Sequence, residues 1–291
     1  MPTLARAERA PLLIRAIDSV LTQRGVRAIP LVVINGPGAD ADLVSSVVAR
    51  RDIRTIRLHE ASLPAAIIAG RAAVDSPFFS ELDDDDLLLP DAFRLRLVPF
   101  SADADLDGVI SNGIDRGRGR DSPLFEDARA LAADPLRALE LRNWLCPGSM
   151  LLRSASVTAE IFGGMPAYLE WTYLAIRLAQ HHRLAFIEQE TFVHHTDTPQ
   201  GTWTSEACKL GLPAAFDRTL ELDLPRELRT RLEQKRTSAV NGAACADLRA
   251  GRVWRAWVWH LRCLLGNDGW RYLPFTRKLI QGLFKATPAG L

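Results

Sequence analysis

The feature that most constrains this chain is an apolar run ending in four consecutive aspartates. Residues 77–91 read Pro-Phe-Phe-Ser-Glu-Leu-Asp-Asp-Asp-Asp-Leu-Leu-Leu-Pro-Asp. A short apolar run bounded by proline and aspartate predicts a buried strand. Pro90 suits the first turn of a following helix. The acidic cluster is therefore expected at a strand's carboxyl end, where open α/β sheets bind ligands. Side chains alternate along extended backbone, so Asp83 and Asp85 should point the same way. Neighbouring carboxylates raise one another's pKa unless a cation neutralises them. Oxygen ligands of this kind suit Mg²⁺ or Mn²⁺, bound through a few carboxylates plus substrate phosphates. A solvated acidic turn is the plainer alternative. The flanking apolar runs favour the buried strand end.

The segments around this stretch alternate between two periodicities. Residues 12–23 predict a helix, with Leu13, Ile17, Val20 and Leu21 on one face and Gly25 as its stop. Residues 29–34 predict a strand that ends at the Asn35-Gly36-Pro37-Gly38 turn. Asp40 caps a predicted helix carrying Leu43, Val44, Val47 and Val48. Residues 53–58 predict a strand and 65–74 a helix. This order implies right-handed βαβ units and a largely parallel sheet. Residues 101–135 read as irregular, with one short strand at Val109-Ile110 and a basic loop at 116–120. A strand is expected after Pro147-Gly148, then a helix over 167–181 with Glu170 in its first turn, where the helix dipole favours a carboxylate. Further strands are expected at 185–187 and 191–197. His194 and His195 should face opposite ways on the latter.

Composition narrows the function classes. The chain has 291 residues, 47% of them hydrophobic and 24% charged, enough for a sizeable core. A net charge of +1 gives no global attraction to nucleic acid. The four cysteines form no CxxC pair, which argues against a zinc site or disulfide framework and fits a reducing cytoplasm. No secretory signal is expected, and no run approaches the ~18 apolar residues of a membrane span.

Taken in order, these pieces resemble the inverting family-2 glycosyltransferases, which have the GT-A fold. The helix end Ile17-Asp18-Ser19-Val20-Leu21-Thr22-Gln23 is similar to that family's helix signature. Val32-Val33-Ile34-Asn35-Gly36-Pro37 loosely matches its first turn. Glu81 through Asp86, followed by Pro90-Asp91, resembles its aspartate motif. Phe162-Gly163-Gly164, Glu170-Trp171 and Arg177-Leu178-Ala179 follow at its spacing. Phe192-Val193-His194-His195 and Ser205 resemble the domain's end. The resemblance covers roughly residues 2–205.

The resemblance implies an α/β, GT-A domain over 1–205 and a helical extension over 206–291. It implies transfer of a sugar, with inversion, from a nucleotide-diphosphate sugar to a hydroxyl of a cell-surface glycan or lipid-linked precursor. Asp85 is then the direct ligand of Mg²⁺ or Mn²⁺, Asp83 contacts ribose or metal-bound water, and Asp86 and His195 support the metal and diphosphate. Thr3, Asn35, Arg71, Asp83 and Asp84 fall on the donor side, Trp171 and Arg177 on the acceptor side. Four departures stand out. No full strand precedes Pro2-Thr3, so the first strand is expected to be missing. The position that reads the base falls on Ile34 or Asn35. The family's Arg-Asn pair falls on Ile67-Ile68. The usual general base falls on Trp171, leaving Glu170 as the candidate base. Two other readings stay open: a transferase-like protein that has lost chemistry and only binds a nucleotide sugar or a partner, and a sugar-phosphate nucleotidyltransferase. The latter lacks its glycine-rich, basic N-terminal loop.

Residues 249–285 carry eight Lys/Arg against Asp268 alone, and four of the seven tryptophans. On a helix, Trp254, Trp257, Val258, Leu261, Leu264 and Leu265 form an apolar face flanked by Arg252, Arg255 and Arg262. This combination suits an anionic membrane surface and hence a peripheral location. The alternative is a helix packed on the catalytic domain. Stacking on single-stranded nucleic acid is the weakest reading.

Overall fold

The computed structural model describes residues 1–117, 120–196 and 205–286, without the side chains of residues 120 and 284–286. Two compact units result: Met1–Met165 with Glu170–Pro199, and Pro166–Leu169 with Gln200–Leu291.

The first unit contains two sheets. The smaller is parallel and ordered β1-β2-β3, from Pro2–Thr3, Leu31–Asn35 and Arg54–Leu58. β1 is short but real: Pro2 and Thr3 pair with Val33 and Ile34. This corrects the expectation of a missing first strand. Helices cover both faces, as a parallel sheet requires. Val32 and Ile34 point into one core with Leu13 and Ile17 of α1 (Ala10–Leu21) and Val44 and Val47 of α2 (Ala41–Val48). Asp40 caps α2 by accepting from Leu43 N–H at 2.8 Å. On the other face, Gly70 of α3 (Leu63–Ala72) lies against Val33. Each fully buried aliphatic side chain contributes about 1.5–3 kcal/mol.

The second sheet is mixed and decides where the acidic residues go. Its order is β4-β8-β6-β9-β5, with β7 on β6. The strands are β4 Phe78–Phe79, β5 Leu87–Leu88, β6 Gly108–Gly117, β7 Arg120–Pro123, β8 Met150–Arg153 and β9 Leu184–His195. The run at 77–82 is thus not a strand of the parallel sheet. Phe78 and Phe79 pair antiparallel with Arg153 and Leu152, and the chain then peels away toward β5 at the far end of the ladder. The aspartates lie on this crossing.

Other differences follow from side-chain caps. The segment expected to be irregular holds the ten-residue β6 and two helices, α5 (Ala128–Ala133) and α6 (Pro135–Leu141). They follow α4 (Ala92–Ala102) and start at Asp127 and Asp134, whose carboxylates accept from the first free N–H groups. The two strands expected near 185 and 191 are one continuous β9. The helix expected from 167 starts three residues later, as α7 (Glu170–His181), because Tyr168 is left-handed at φ 71°. Arg118 and Gly119 of the basic loop, Asp197, and residues 287–291 lie outside the described residues.

The second unit is helical: α8 (Glu206–Thr219), α9 (Arg226–Arg249), α10 (Val253–Leu264) and α11 (Phe275–Ala286). Asp247, fully buried on α9, accepts from Arg252 at 2.5 Å and Trp259 at 3.0 Å and lies 3.3 Å from Arg255. One buried carboxylate thus fixes the start of α10.

Candidate functional site

The acidic residues form a turn, not a strand end. Asp86 N–H closes onto Asp83 O at 3.3 Å, with Asp84 and Asp85 at the corners. Burial still alternates: Leu82, Asp84, Asp86 and Leu88 are buried, whereas Glu81, Asp83, Asp85 and Leu87 are half-buried. Asp83 and Asp85 therefore share the more open face. The pairing of Leu87 with Val193 brings the turn beside the end of β9. His195 N–H donates to Asp86 Oδ1 at 2.8 Å, and its ring lies 3.9 Å from the same oxygen. His194 faces away, with Nδ1 3.5 Å from Asp115.

Each buried face of the turn is held by a named group. Asp84 accepts from the Thr3 hydroxyl at 2.6 Å and from the Arg9 guanidinium. Arg9 also lies 3.1 Å from Asp85, so one cation bridges both carboxylates. Burial works against the charge on Arg9, but the hydrogen bond and attraction to Asp84 and Asp85 win and raise its pKa. Arg15 donates to Asp85 O at 2.6 Å. Asn35 donates to Thr3 O at 3.0 Å and accepts from Ser62 N–H at 3.1 Å, tying the end of β2 to β1 and the start of α3.

The rest of the site carries excess negative charge. Burial, then Glu81, Asp86, Asp85 and Asp84, push Asp83 well above the usual carboxylate range. Burial pushes Glu81 up to about 8; the nearby N-terminal ammonium opposes this, while Asp86, Glu170 and Asp84 add to it. Asp86 is also raised by burial, with His195 and His194 pulling the other way. Glu170 is 6% exposed at the first turn of α7 and belongs to this electrostatic cluster.

The residues fit one kind of metal binding and not another. Among the described residues no three His, Cys, Asp or Glu side chains converge as a metal cage. Yet both carboxylate oxygens of Glu81 and Oδ2 of Asp86 are buried without a hydrogen-bond partner. Such oxygen-rich chemistry, with Arg9 neutralising only Asp84 and Asp85, suits a hard divalent ion that arrives with a diphosphate and takes one or two protein carboxylates. It does not suit a metal held by protein alone.

Three expected site residues have other tasks. The Arg71 guanidinium donates to Ser154 O at 2.8 Å and to Val157 O at 2.8 and 3.1 Å, and stacks on Phe79. It secures the chain after β8 and is not aimed at the aspartates. Arg177 donates to the carbonyls of Glu160, Ile161 and Gly163, pinning the loop before α7. Trp171 lines an apolar cavity of about 280 Å³ with Met1, Val33, Ile67, Phe78 and Phe162. The same cavity is also lined by Glu81 and by Arg27, Arg54 and Arg71, so it reaches one edge of the acidic cluster. The sequence reading missed Arg9, Arg15 and Glu81. A usable signal was present: an acidic run of this length needs a cation, and Arg6, Arg9 and Arg15 follow Thr3 closely.

The geometry can be set beside known structures. No family profile matches the sequence, and no curated protein matches it. Solved structures do. A TarS fragment from S. aureus in complex with UDP-GlcNAc superposes with a TM-score of 0.56 at 14% identity, covering 83% of this chain and 70% of that one. The same fragment in a second structure gives 0.55 at 11% identity, covering 95% and 90%. The mannosyltransferase PcManGT from Pyrobaculum calidifontis, in complex with GDP-Man and Mn²⁺, gives 0.50 at 16% identity, covering 98% and 85%. The fold is that of the GT-A glycosyltransferases. In this chain's GT-A fold, the acidic turn, the β9 end and the α7 start lie within one electrostatic cluster.

Proposed function

We propose that this chain transfers a sugar from a nucleotide-diphosphate sugar to an acceptor hydroxyl, with inversion and with a divalent metal. The observation that carries the reading is the acidic turn, with unpartnered carboxylate oxygens on Glu81 and Asp86 and with Glu170 and His195 nearby, on a fold whose solved neighbours hold UDP-GlcNAc, UDP and GDP-Man. Asp85, on the open face, would hold Mg²⁺ or Mn²⁺, with Asp83 beside it and Asp86 and His195 behind. When bound, the ion would neutralise charge developing on the departing diphosphate. Glu170 takes the acceptor proton as general base. Its place at the first turn of α7, within the acidic cluster around Glu81, is what supports that role. Thr3 and Arg9 hold Asp84, and Asn35 holds the end of β2, so they shape the donor side. The acceptor class is a glycan or a lipid-linked precursor, and the location is the cytoplasm, at the membrane face.

A second reading, a binder without chemistry, is favoured by Arg9 on Asp85 and by Trp171 at the usual base position. One experiment separates them. Purified protein is screened with UDP- and GDP-sugars, with and without Mn²⁺, for binding and for release of nucleotide. Binding with release supports transfer. Binding without release under any acceptor supports the binder. No binding of any nucleotide sugar sinks both.

A further inference from the structure

The C-terminal helices expose what a soluble helix normally hides. α10 buries Val253, Ala256, His260 and Cys263 against its own unit. On its opposite side Trp254 is 75% exposed, Val258 59%, Leu261 55% and Leu265 89%. At 3.6 residues per turn these four fall within an arc of about 60°. The row is continuous, not a scatter of single residues, and contiguous exposed apolar surface marks a contact site. In the segment that follows, Trp270 at 68%, Leu273 at 54% and Ile280 at 45% are also exposed. Within its own unit, therefore, this stripe is left uncovered.

The charges around the row identify its occupant. Arg255, Arg262, Arg271, Arg277 and Lys278 are all exposed. The acids in contact with this segment are engaged: Asp247 is buried under Arg252, Arg255 and Trp259, Glu206 accepts from Arg252 at 2.5 Å, Glu233 from Asn267 at 3.4 Å and Asp268 from Gln234 at 3.0 Å. No exposed Asp or Glu lies among the described residues from 249 onward. A second protein copy would bring this same positive rim against itself and be repelled. A nucleic acid would use the arginines but leave Val258, Leu261 and Leu265 in water. An anionic bilayer surface satisfies both: apolar side chains enter the acyl boundary while Lys and Arg meet lipid phosphates. No described helix is long and apolar enough to cross a membrane, so the contact lies in the surface plane.

We infer that α10 and the segment through Ile280 form a docking face for anionic lipid bilayers. The inference stands apart from the transfer reading; it concerns where the chain works. The test is co-sedimentation of the full chain with phosphatidylcholine vesicles that contain or lack about one third phosphatidylglycerol. The protein should pellet with the anionic vesicles at low salt, stay in solution with neutral ones, and be released as salt rises. Trp254→Ser/Leu261→Ser/Leu265→Ser should lower partitioning at least tenfold. Its melting temperature and circular dichroism should match wild type, because the three side chains are exposed. Arg277→Glu/Lys278→Glu should lower partitioning on anionic vesicles as well. Wild type remaining in the supernatant at low salt overturns the inference. So does a triple variant that still pellets, or a wild-type dimer in light scattering that the triple variant converts to monomer.

Discussion

Arg96 shows how a residue far from the substrate sets the site. It is fully buried, yet no carboxylate among the described residues partners it. Its guanidinium instead donates to Gly148 O, Met150 O at 3.0 Å, Ser111 at 3.0 Å and Thr191 at 2.6 Å. Burial pulls its pKa down to about 9, so it stays charged at neutral pH. These acceptors belong to the turn before β8, to β8, to β6 and to β9, and Gly148 N–H in turn donates to Glu81 O at 2.7 Å. Arg96→Met would strand the buried Gly148 carbonyl, at about 1–3 kcal/mol, while Met150 O keeps the Ser80 hydroxyl at 2.6 Å. A loss of about 1–3 kcal/mol is expected in urea unfolding, with Arg96→Lys little better because an ammonium cannot fork between acceptors. Glu170→Gln is expected to behave differently, lowering turnover about 10²-fold with melting temperature and donor affinity kept. Unchanged turnover would move the base elsewhere. The sequence made the carboxylates legible because four in a row are rare between apolar runs. Arg96 was not legible, since a lone arginine carries no sign of being buried.

At the scale of elements, β9 and its neighbour β6 carry the site's geometry. Gly113 sits where the β6–β9 register shifts, and a Cβ there would lie 2.1 Å from the Phe192 ring. Phe192 is fully buried and two residues precede His194. Gly113→Ala should therefore displace β9, cost about 1–3 kcal/mol as overpacking does, and weaken donor binding together with stability. Retention of both would show that the ring moves freely. Sequence periodicity could not show β9 as one strand, because Glu188, Gln189 and Glu190 interrupt its apolar pattern. In the second unit, His260 is legible only in three dimensions. Its Nε2 meets the Thr276 hydroxyl at 2.8 Å, Trp257 and Phe275 pack edge-on to its ring, and Nδ1 has no partner. Burial lowers its pKa below the usual 6.5. The folded state then binds the proton less readily than the unfolded one, so this contribution is complete above about pH 6.5 and is lost as pH falls through the lowered value. Thermal melts between pH 7.5 and 5 should show a decline that His260→Gln flattens.

For the whole molecule, the alternation of strands and helices over the first sixty residues made βαβ units and a parallel sheet legible, and the motif resemblance alone pointed on to the GT-A fold. The division into a parallel and a mixed sheet was not, because β4 and β5 are two residues each and their pairing depends on distant β8 and β9. Helicity of the tail was legible, and the exposure of its apolar row was not. The clearest global readout is the coupling of donor, metal and folding. Glu81, Asp83 and Asp86 crowd one another enough to raise their pKa values, so a bare diphosphate would meet carboxyl oxygens rather than a cation and bind poorly. A divalent ion would supply the missing positive charge. A ligand that binds only the folded state at about 100 times its Kd adds about 2.7 kcal/mol. For a unit of 150–250 residues each kcal/mol is worth about 2–4 °C, so the matching nucleotide with Mn²⁺ should raise the melting temperature by about 5–10 °C. EDTA should abolish the shift, and Asp85→Ala should lose it while melting near wild type in the absence of ligand. Equal stabilisation with and without Mn²⁺ would mean that Arg9 and Arg15, not a metal, balance the diphosphate.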